Sequence, residues 1–431
     1  MSFNLIIFLM VFIISFIIKL PICFGMLAAT VTYMVINPGP LAILRQIPLQ
    51  ICFKMSVNFT LIAMPLFLFM ANIMNTAKIT DNIFKFADVL VGRAKGGIAH
   101  VNVLASLIFS GMSGSAIVDA MALGTMEIQE MRKQGYPDEF SCAITASSAV
   151  IGPIFPPSMP MIYYAMISGT SLGMLFIAGV IPGILMAVLL MMYIWIISKR
   201  RHYPSSKRYL LRDGIVIAIK AFPALFTVVI LLFGIYSGVV TTTEAGAIAS
   251  LYAIIVALLF YGGLTWKEFW NCIVQTCIGA SSLIFILVCS FAFSYVISAE
   301  RLGISLANLV MGLTSNKYML MLLINVVFLI MGMFIDVTVI QIVFVPMILP
   351  LVTMAGIDLV TLGVALMVNI MIGDCSPPYG FLLFIVSDIA DCKLEKVIKE
   401  MWPLLVVMII ELLLVSFVPA LTLWLPSLMM R

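Results

Sequence analysis

Charged residues are scarce in this sequence, and their scarcity excludes more classes of protein than any motif does. Asp, Glu, Lys and Arg make up 10% of the 431 residues, against 63% hydrophobic residues, whereas an ordinary soluble domain has about 25% charged residues. So few charges exclude a secreted disulfide scaffold, a coiled coil, a disordered chain and a soluble nucleotide-binding enzyme. The composition instead predicts an all-α polytopic membrane protein embedded in a lipid bilayer.

Four further absences narrow the possible functions. The eight cysteines lack CxxC spacing, which excludes a zinc site and a disulfide framework. The net charge of +4 is too small to indicate a nucleic-acid partner. The sequence has no GxxxxGK phosphate loop, so this chain does not hydrolyse ATP. No basic residue precedes the first apolar run, which Lys19 follows, and we therefore expect a retained first helix rather than a signal peptide.

Long apolar runs predict the membrane-spanning helices, since a helix needs about 20 mostly apolar residues to cross a bilayer. The runs that meet this requirement are roughly 3–20, 22–39, 55–75, 139–168, 172–198, 216–239, 242–263, 272–297, 359–389 and 402–429. Two other apolar stretches, about 98–130 and about 320–351, contain Gly or polar residues near their first third. We predict that each of these two forms a re-entrant helical hairpin.

An internal repeat is visible when the sequence is shifted by 221 residues. The shift superposes the residues that break helices, namely Gly111 on Gly332, Gly135 on Gly356, Gly152 on Gly373, and Pro156-Pro157 on Pro377-Pro378. We therefore predict a first repeat at 1–198 and a second repeat at 216–431, joined by a basic linker at 199–215.

Loop charge predicts that the two repeats have opposite orientations. Basic residues favour the cytoplasmic side, and they are concentrated in the linker and in the loops 131–139 and 391–400. The equivalent loops of the other repeat contain none, which predicts an inverted-topology repeat with the N-terminus on the outer side. Arg45 and Lys54 would also lie on the outer side and do not fit this scheme.

Paired helix breaks supply the candidate site residues. In transporters with inverted repeats, substrate and coupling ions bind at such pairs near the membrane midplane. Unwound carbonyl groups can ligate a cation, and half-helix N-termini attract an anion. The candidates for binding the cation or the substrate are Ser110, Gly111, Ser113, Gly114, Ser115, Gly152, Pro156, Pro157, Ser158, Gly332, Asp336, Thr338, Gly373, Asp374, Ser376 and Pro377.

Four acidic residues need separate interpretation. Asp336 and Asp374 lie at membrane depth, where an ionisable side chain indicates function. Asp119 could instead pair with a cation near the base of the first hairpin. Glu244 follows three threonines and is either a site residue or a helix cap.

The first hairpin also contains a protease-like pattern. Gly111-Met-Ser113-Gly114 fits the GxSG pattern of rhomboid-type intramembrane serine proteases, with Ser113 as the nucleophile. That chemistry requires a histidine base. The two histidines are His100, at an apparent interface, and His202, in the basic linker, so an intramembrane enzyme is only a remote alternative.

Five motifs together identify a family. They are Ser110-Gly-Met-Ser-Gly-Ser-Ala116 with Asp119, Gly152-Pro-Ile-Phe-Pro-Pro-Ser158, Thr243-Glu244-Ala245, Gly332-Met-Phe-Ile-Asp336 followed by Pro346 and Pro350, and Ser376-Pro-Pro-Tyr-Gly380. The chain resembles, over essentially its whole length, the large membrane subunit of tripartite ATP-independent periplasmic (TRAP) transporters. It departs from the family pattern at Thr242, where the family has Pro, and at Ser376, where the family favours Thr.

The resemblance implies a bacterial inner-membrane importer that couples sodium to the uptake of a small organic anion of the carboxylate or sugar-acid type. It implies no other cofactor, no enzymatic activity, and two partners, a small four-helix membrane subunit and a periplasmic substrate-binding protein. Family members are elevators, in which a transport domain with both hairpins slides against a scaffold held by an interfacial arm, here 78–95. A stand-alone sodium/anion symporter of the elevator type is the alternative.

The resemblance also implies where sodium binds. One sodium site would lie around Ser110–Ser115 together with Gly152–Ser158. The other would lie around Gly332–Thr338 together with Gly373–Pro378.

Overall fold

The structure is a computed structural model that describes residues 3–37, 48–49, 51–53, 55–56, 60–77, 79–206, 209–314 and 316–429. Arg45 and Lys54, which bear on the predicted orientation, and Lys78 of the predicted arm lie outside the described residues. Within these ranges the chain forms α-helices and no β-strand.

Twenty helices have described bounds. Those before the linker are α1 (Phe3–Ile17), α2 (Ile22–Ile36), α3 (Thr60–Thr76), α4 (Thr80–Val91), α5 (Gly97–Ser113), α6 (Ala116–Ala122), α7 (Gly124–Lys133), α8 (Asp138–Ala149), α9 (Met159–Ser168) and α10 (Leu172–Arg201). Those after it are α11 (Leu211–Tyr236), α12 (Thr242–Phe260), α13 (Trp266–Ala299), α14 (Leu302–Leu313), α15 (Lys317–Gly332), α16 (Val337–Met354), α17 (Leu359–Asp374), α18 (Phe381–Ala390), α19 (Leu394–Phe417) and α20 (Ala420–Met429).

Six of these helices, α10, α11, α12, α13, α16 and α19, are long and apolar enough to cross a bilayer. The protein is therefore a multi-pass membrane protein with an all-helical fold. The predicted span at 402–429 is divided between α19 and α20, contrary to our expectation. Pro419 explains the division, because proline has no N–H to donate and disfavours helix at the residue before it.

Both predicted hairpins and both predicted broken spans consist of separate helices. The stretch 98–130 contains α5, α6 and most of α7, and the stretch 320–351 lies within α15 and α16. The span 139–168 is divided into α8 and α9, and the span 359–389 into α17 and α18. The second limb of the second hairpin, α16, has 18 residues and is longer than the short limb that we expected. Whether the hairpins enter and leave on one side of the membrane stays a prediction.

Helix starts recur at the offset found in the sequence. Ala116 and Val337 begin α6 and α16, and Asp138 and Leu359 begin α8 and α17, each pair 221 residues apart. This recurrence supports the predicted duplication. The opposite orientation of the repeats stays a prediction.

Buried hydrogen bonds fasten each hairpin to the broken helix beside it. In the first half, Asn102 of α5 donates to Thr145 Oγ1 over 2.8 Å and accepts from Ser148 Oγ over 2.7 Å, both on α8. In the second half, Asn369 of α17 donates to Asn325 Oδ1 of α15 over 2.9 Å. Polar groups buried among apolar helices are costly unless paired, so each hairpin limb and its neighbouring helix are positioned together.

The basic linker is shorter than predicted, because α10 continues to Arg201 and α11 begins at Leu211. It is bound to the start of the first hairpin and to α4. Ser206 N donates to Gly92 O over 2.9 Å, and Gly96 N donates to Pro204 O over 3.1 Å. Tyr209 Oη donates to Asp88 Oδ2 over 2.6 Å.

Burial raises the pKa of Tyr209 to about 12, so its hydroxyl stays protonated and able to donate well above neutral pH. Replacing Tyr209→Phe removes the donor to a carboxylate and is expected to destabilise the protein by about 1–2 kcal/mol. The measurement is the apparent Tm of the purified protein. Tyr318→Phe is the matched control, since the Tyr318 side chain makes no hydrogen bond to the described residues. Equal melting of the Tyr209→Phe variant and the wild type would refute a stabilising role for this contact.

Candidate functional site

The tip of the first hairpin packs directly on the break between α8 and α9. Gly114 ends α5 in the left-handed region, with φ of +62°, and a Cβ there would collide with the carbonyl oxygen of Pro157. Met159 N donates to Gly114 O over 3.3 Å. A Cβ at Gly152 would lie 3.2 Å from the Ser115 carbonyl carbon. The two motifs that we paired from the sequence are therefore in contact.

The break itself is stabilised by a serine. Ser158 is the N-cap of α9, where its Oγ accepts from Met161 N over 3.3 Å and donates to the carbonyl oxygen of Pro153. The Pro156-Pro157 peptide bond is cis, as is the Pro377-Pro378 bond of the second break.

The second hairpin meets the break between α17 and α18 through two glycines. A Cβ at Gly373 would lie 2.6 Å from Gly332 Cα, so the two backbones touch with no side chain between them. Asp336 caps α16, with Oδ1 accepting from Thr338 N over 2.8 Å. Ser376 Oγ donates to Ile372 O over 2.6 Å. The hydroxyl proton of Ser376 is therefore engaged in a hydrogen bond within the break.

All four breaks converge on one cavity of about 190 Å³. Six of the sequence-predicted residues line it: Ser113, Gly114, Ser115, Asp336, Thr338 and Asp374. The other ten, Ser110, Gly111, Gly152, Pro156, Pro157, Ser158, Gly332, Gly373, Ser376 and Pro377, are not among its lining residues. Of these, Gly332 lines an adjoining cavity of about 110 Å³ together with Asp336 and Asp374, and Gly111 packs against Val228 of α11.

The charged side chains that line the cavity are acidic, which is unusual for a site that would bind an anion. No Lys, Arg or His is among the described residues that line it, whereas Asp336 and Asp374 are. Ser113 is 5% exposed, and its buried Oγ has no hydrogen-bond partner. The first residues of α9 and α16, Met159 and Val337, also line the cavity, and helix N-termini carry partial positive charge. The cavity therefore offers oxygen ligands to a cation and helix N-termini to an anion.

A metal site built mainly from acidic, histidine or cysteine side chains is absent from the described residues, which contain no group of three or more of these. A cation bound here would depend on carbonyl and hydroxyl oxygens with one or two carboxylates. Such oxygen donors suit hard cations.

Residues that we did not predict complete the cavity wall. Asn72 and Asn75 of α3 also line it, with Leu283 of α13 and Tyr163 of α9. Asn72 Nδ2 donates to Thr276 Oγ1 over 2.9 Å. The sequence does contain one indication of this wall, because Asn72 and Asn75 are two amides about one helical turn apart within an otherwise apolar span.

The structure distinguishes the alternatives left open for Glu244 but not for Asp119. Glu244 forms a capping box with Thr241, because Thr241 N donates to Glu244 Oε2 over 2.7 Å and Glu244 N donates to Thr241 Oγ1 over 3.3 Å. Glu244 is therefore a helix cap and not a cavity residue. Asp119 is 1% exposed and forms no ion pair with a described residue, so its pairing with a cation stays a prediction.

The protease-like pattern has no histidine base within reach. His100 lies in the first turn of α5 with Nδ1 3.0 Å from Gly96 O, and Ser113 is the last residue of the same helix. At 1.5 Å per residue, the two lie about 20 Å apart. His202 lies beyond the end of α10.

The contact between Gly332 and Gly373 can be tested by adding one methyl group. Gly373→Ala would place Cβ against the Gly332 backbone, which cannot move aside as a side chain can, and is expected to cost about 1–3 kcal/mol. The apparent Tm should fall accordingly. Gly312→Ala is the control, because a Cβ there meets no atom within 4 Å and alanine favours helix. A Gly373→Ala protein as stable as the Gly312→Ala protein would contradict the close approach.

Comparison with known proteins identifies the family of the chain. Residues 6–421 match the model of the tripartite ATP-independent periplasmic transporter, DctM component. The chain is 40% identical over 372 residues to the sialic acid TRAP transporter large permease protein of Vibrio cholerae, covering 86% of this chain and 87% of that one. It is 35% identical over 375 residues to the C4-dicarboxylate TRAP transporter large permease protein of Pseudomonas aeruginosa, covering 87% and 88%.

A solved structure shares the fold at low sequence identity. The Alcanivorax borkumensis YdaH transporter superposes with a TM-score of 0.65 at 13% identity, covering 91% of this chain and 90% of that one. This likeness concerns the fold alone. The family match and the two relatives, by contrast, extend over most of the sequence, and the chain therefore belongs to the TRAP transporter family as a large permease subunit.

Proposed function

We propose that this permease imports a small organic anion, of the carboxylate or sugar-acid type, by sodium-coupled secondary transport. The observation that carries the proposal is the single cavity where four helix breaks meet, with two acidic side chains and no basic one among its described lining residues. Relatives named for sialic acid and for C4-dicarboxylates support an acidic substrate.

Charge balance in the cavity supports the proposed sodium coupling. Two unit charges of like sign 4 Å apart repel by about 4 kcal/mol at an effective dielectric constant of about 20. An anion entering beside Asp336 and Asp374 therefore requires compensating cations. The unpartnered Oγ of Ser113 and the carbonyl groups of the breaks offer ligands to them. Each sodium ion that moves down 100 mV contributes about 2.3 kcal/mol, so two or more ions could carry a dianion inward.

Family membership suggests the partners and the location. We propose that the chain resides in a bacterial inner membrane with a periplasmic N-terminus and works as an elevator. Its partners would be a small four-helix membrane subunit and a periplasmic protein that delivers the substrate. In the most apolar segments of α11 and α13, only 28% of the residues are buried within the chain. The remaining surface is available to lipid or to the small subunit.

The alternative is a stand-alone sodium/anion symporter. It differs from our proposal in needing neither partner. Sodium-dependent uptake by proteoliposomes that contain only this chain would favour the alternative. Uptake that appears only after addition of the binding protein and the small subunit would favour the tripartite transporter.

Uptake of candidate acids, measured with and without a sodium gradient, tests the function and the role of Asp374 together. Asp374 is 9% exposed and lines the cavity, so Asp374→Asn removes a negative charge from the proposed sodium environment. We expect the sodium concentration for half-maximal uptake to rise about tenfold, equivalent to about 1.4 kcal/mol.

Asp391→Asn is the matched control. Asp391 is exposed and has φ of +51°, a conformation that asparagine adopts readily. Wild-type uptake that is indifferent to sodium would refute the proposed coupling. An unchanged sodium requirement in Asp374→Asn would exclude this side chain from the sodium environment.

A further inference from the structure

Asn75 is a polar side chain of the cavity that has no hydrogen-bond partner among the described residues. It lies on α3 and lines the cavity together with residues of the four breaks. Its Oδ1 is buried and accepts no hydrogen bond, and among the described residues its Nδ2 donates none. Asn72, one turn earlier, is by contrast occupied by Thr276. The two amides therefore differ: Asn72 links α3 to α13, whereas neither end of the Asn75 amide has a hydrogen-bond partner among the described residues.

The hydrogen-bonding capacity of the Asn75 amide determines which chemical groups can pair with it. A primary amide both accepts and donates hydrogen bonds, whichever way the group is turned. An ionised carboxylate only accepts, and it would leave the amide oxygen unpaired. A hydroxyl group or another amide both donates and accepts, so it can satisfy Asn75 in either orientation. Buried polar groups without partners are unfavourable, and this favours a ligand that supplies such a group.

The breaks determine how the other end of the ligand would bind. Its carboxylate would be held at the breaks, where helix N-termini and cations provide positive charge. The cavity then offers two chemically distinct environments, one that favours an anion and one, at Asn75, that favours a hydroxyl or an amide. An unsubstituted dicarboxylate offers only anionic ends.

We propose that Asn75 hydrogen-bonds a hydroxyl or amide group of the transported anion, so that the substrates are hydroxylated or amide-bearing carboxylic acids rather than unsubstituted dicarboxylates. This inference rests on the proposed function, because it concerns the substrate of the same cavity. It makes α3 a determinant of substrate selectivity, although α3 contributes no helix break.

Ligand-induced stabilisation of the purified full-length chain tests the proposal without interference from a binding protein, since a bound ligand raises the apparent Tm. The probes are sodium chloride alone, and sodium chloride with either sialic acid or succinate. Sialic acid bears hydroxyl groups and an amide, whereas succinate has only carboxylates. The wild type is expected to be stabilised by sodium and further by sialic acid, with succinate at least tenfold weaker.

The variants are Asn75→Leu, Asn75→Ser and, as a matched control, Asn271→Leu at an exposed position of α13. Asn75→Leu is expected to keep the sodium-induced stabilisation and to need at least tenfold more sialic acid. Asn75→Ser, which retains a group that donates and accepts, is expected to bind sialic acid better than Asn75→Leu does. Asn271→Leu should match the wild type.

Two results would overturn the inference and leave the proposed function standing. One is equal sialic acid binding by the wild type and Asn75→Leu, and the other is a wild type that binds succinate as tightly as sialic acid. A wild type that responds to neither sodium nor any acid would instead overturn the proposed function, and the inference with it.

Discussion

Backbone hydrogen bonding in lipid is the constraint on which the rest of this structure depends. A helix interrupted inside a bilayer exposes N–H and C=O groups that water does not reach, and each unsatisfied group is costly. The breaks avoid this cost by covering one another. Met159 donates to the Gly114 carbonyl, Ser158 caps the helix that restarts after the first break, and Gly332 lies against Gly373. Breaks therefore occur in contacting pairs, and those pairs meet at the cavity.

Much of this arrangement could be predicted from the sequence, because the same residues that break helices also recur at one offset. Glycine and proline act locally, so the positions of the breaks needed no knowledge of the tertiary structure. The sequence paired the tip of the second hairpin with the second break, and Gly332 of the tip and Gly373 of the break are in contact. Helix ends were less predictable. The apolar run continues through Pro419, and the basic composition of the linker gave no sign that α10 extends to Arg201.

The α3 wall of the cavity was missed for a different physical reason. Asn72 and Asn75 lie in an unbroken helix, and the positions 221 residues later are Phe293 and Val296, so the repeat gave no indication of them. Which face of a helix lines a cavity is decided by packing between distant segments, here α3 against α5, α9 and α13. The sequence left the role of Glu244 open, although Thr followed three residues later by Glu is the pattern of a capping box, and the structure shows that box.

The kinds of ionisable side chain that the described residues bring to the cavity have a consequence for uncoupled leakage of the anion. Asp336 and Asp374 are the acidic side chains among these lining residues, and no basic side chain is among them, so a solute anion that entered without cations would meet no permanent counter-charge. Occupancy by the anion alone would then be rare, and an anion that seldom binds alone seldom crosses alone. A carrier of this kind resists slip, the uncoupled passage that would dissipate an accumulated solute. Tight coupling would then require no separate gate, because the acidic side chains of the cavity would themselves disfavour an anion that arrives without cations.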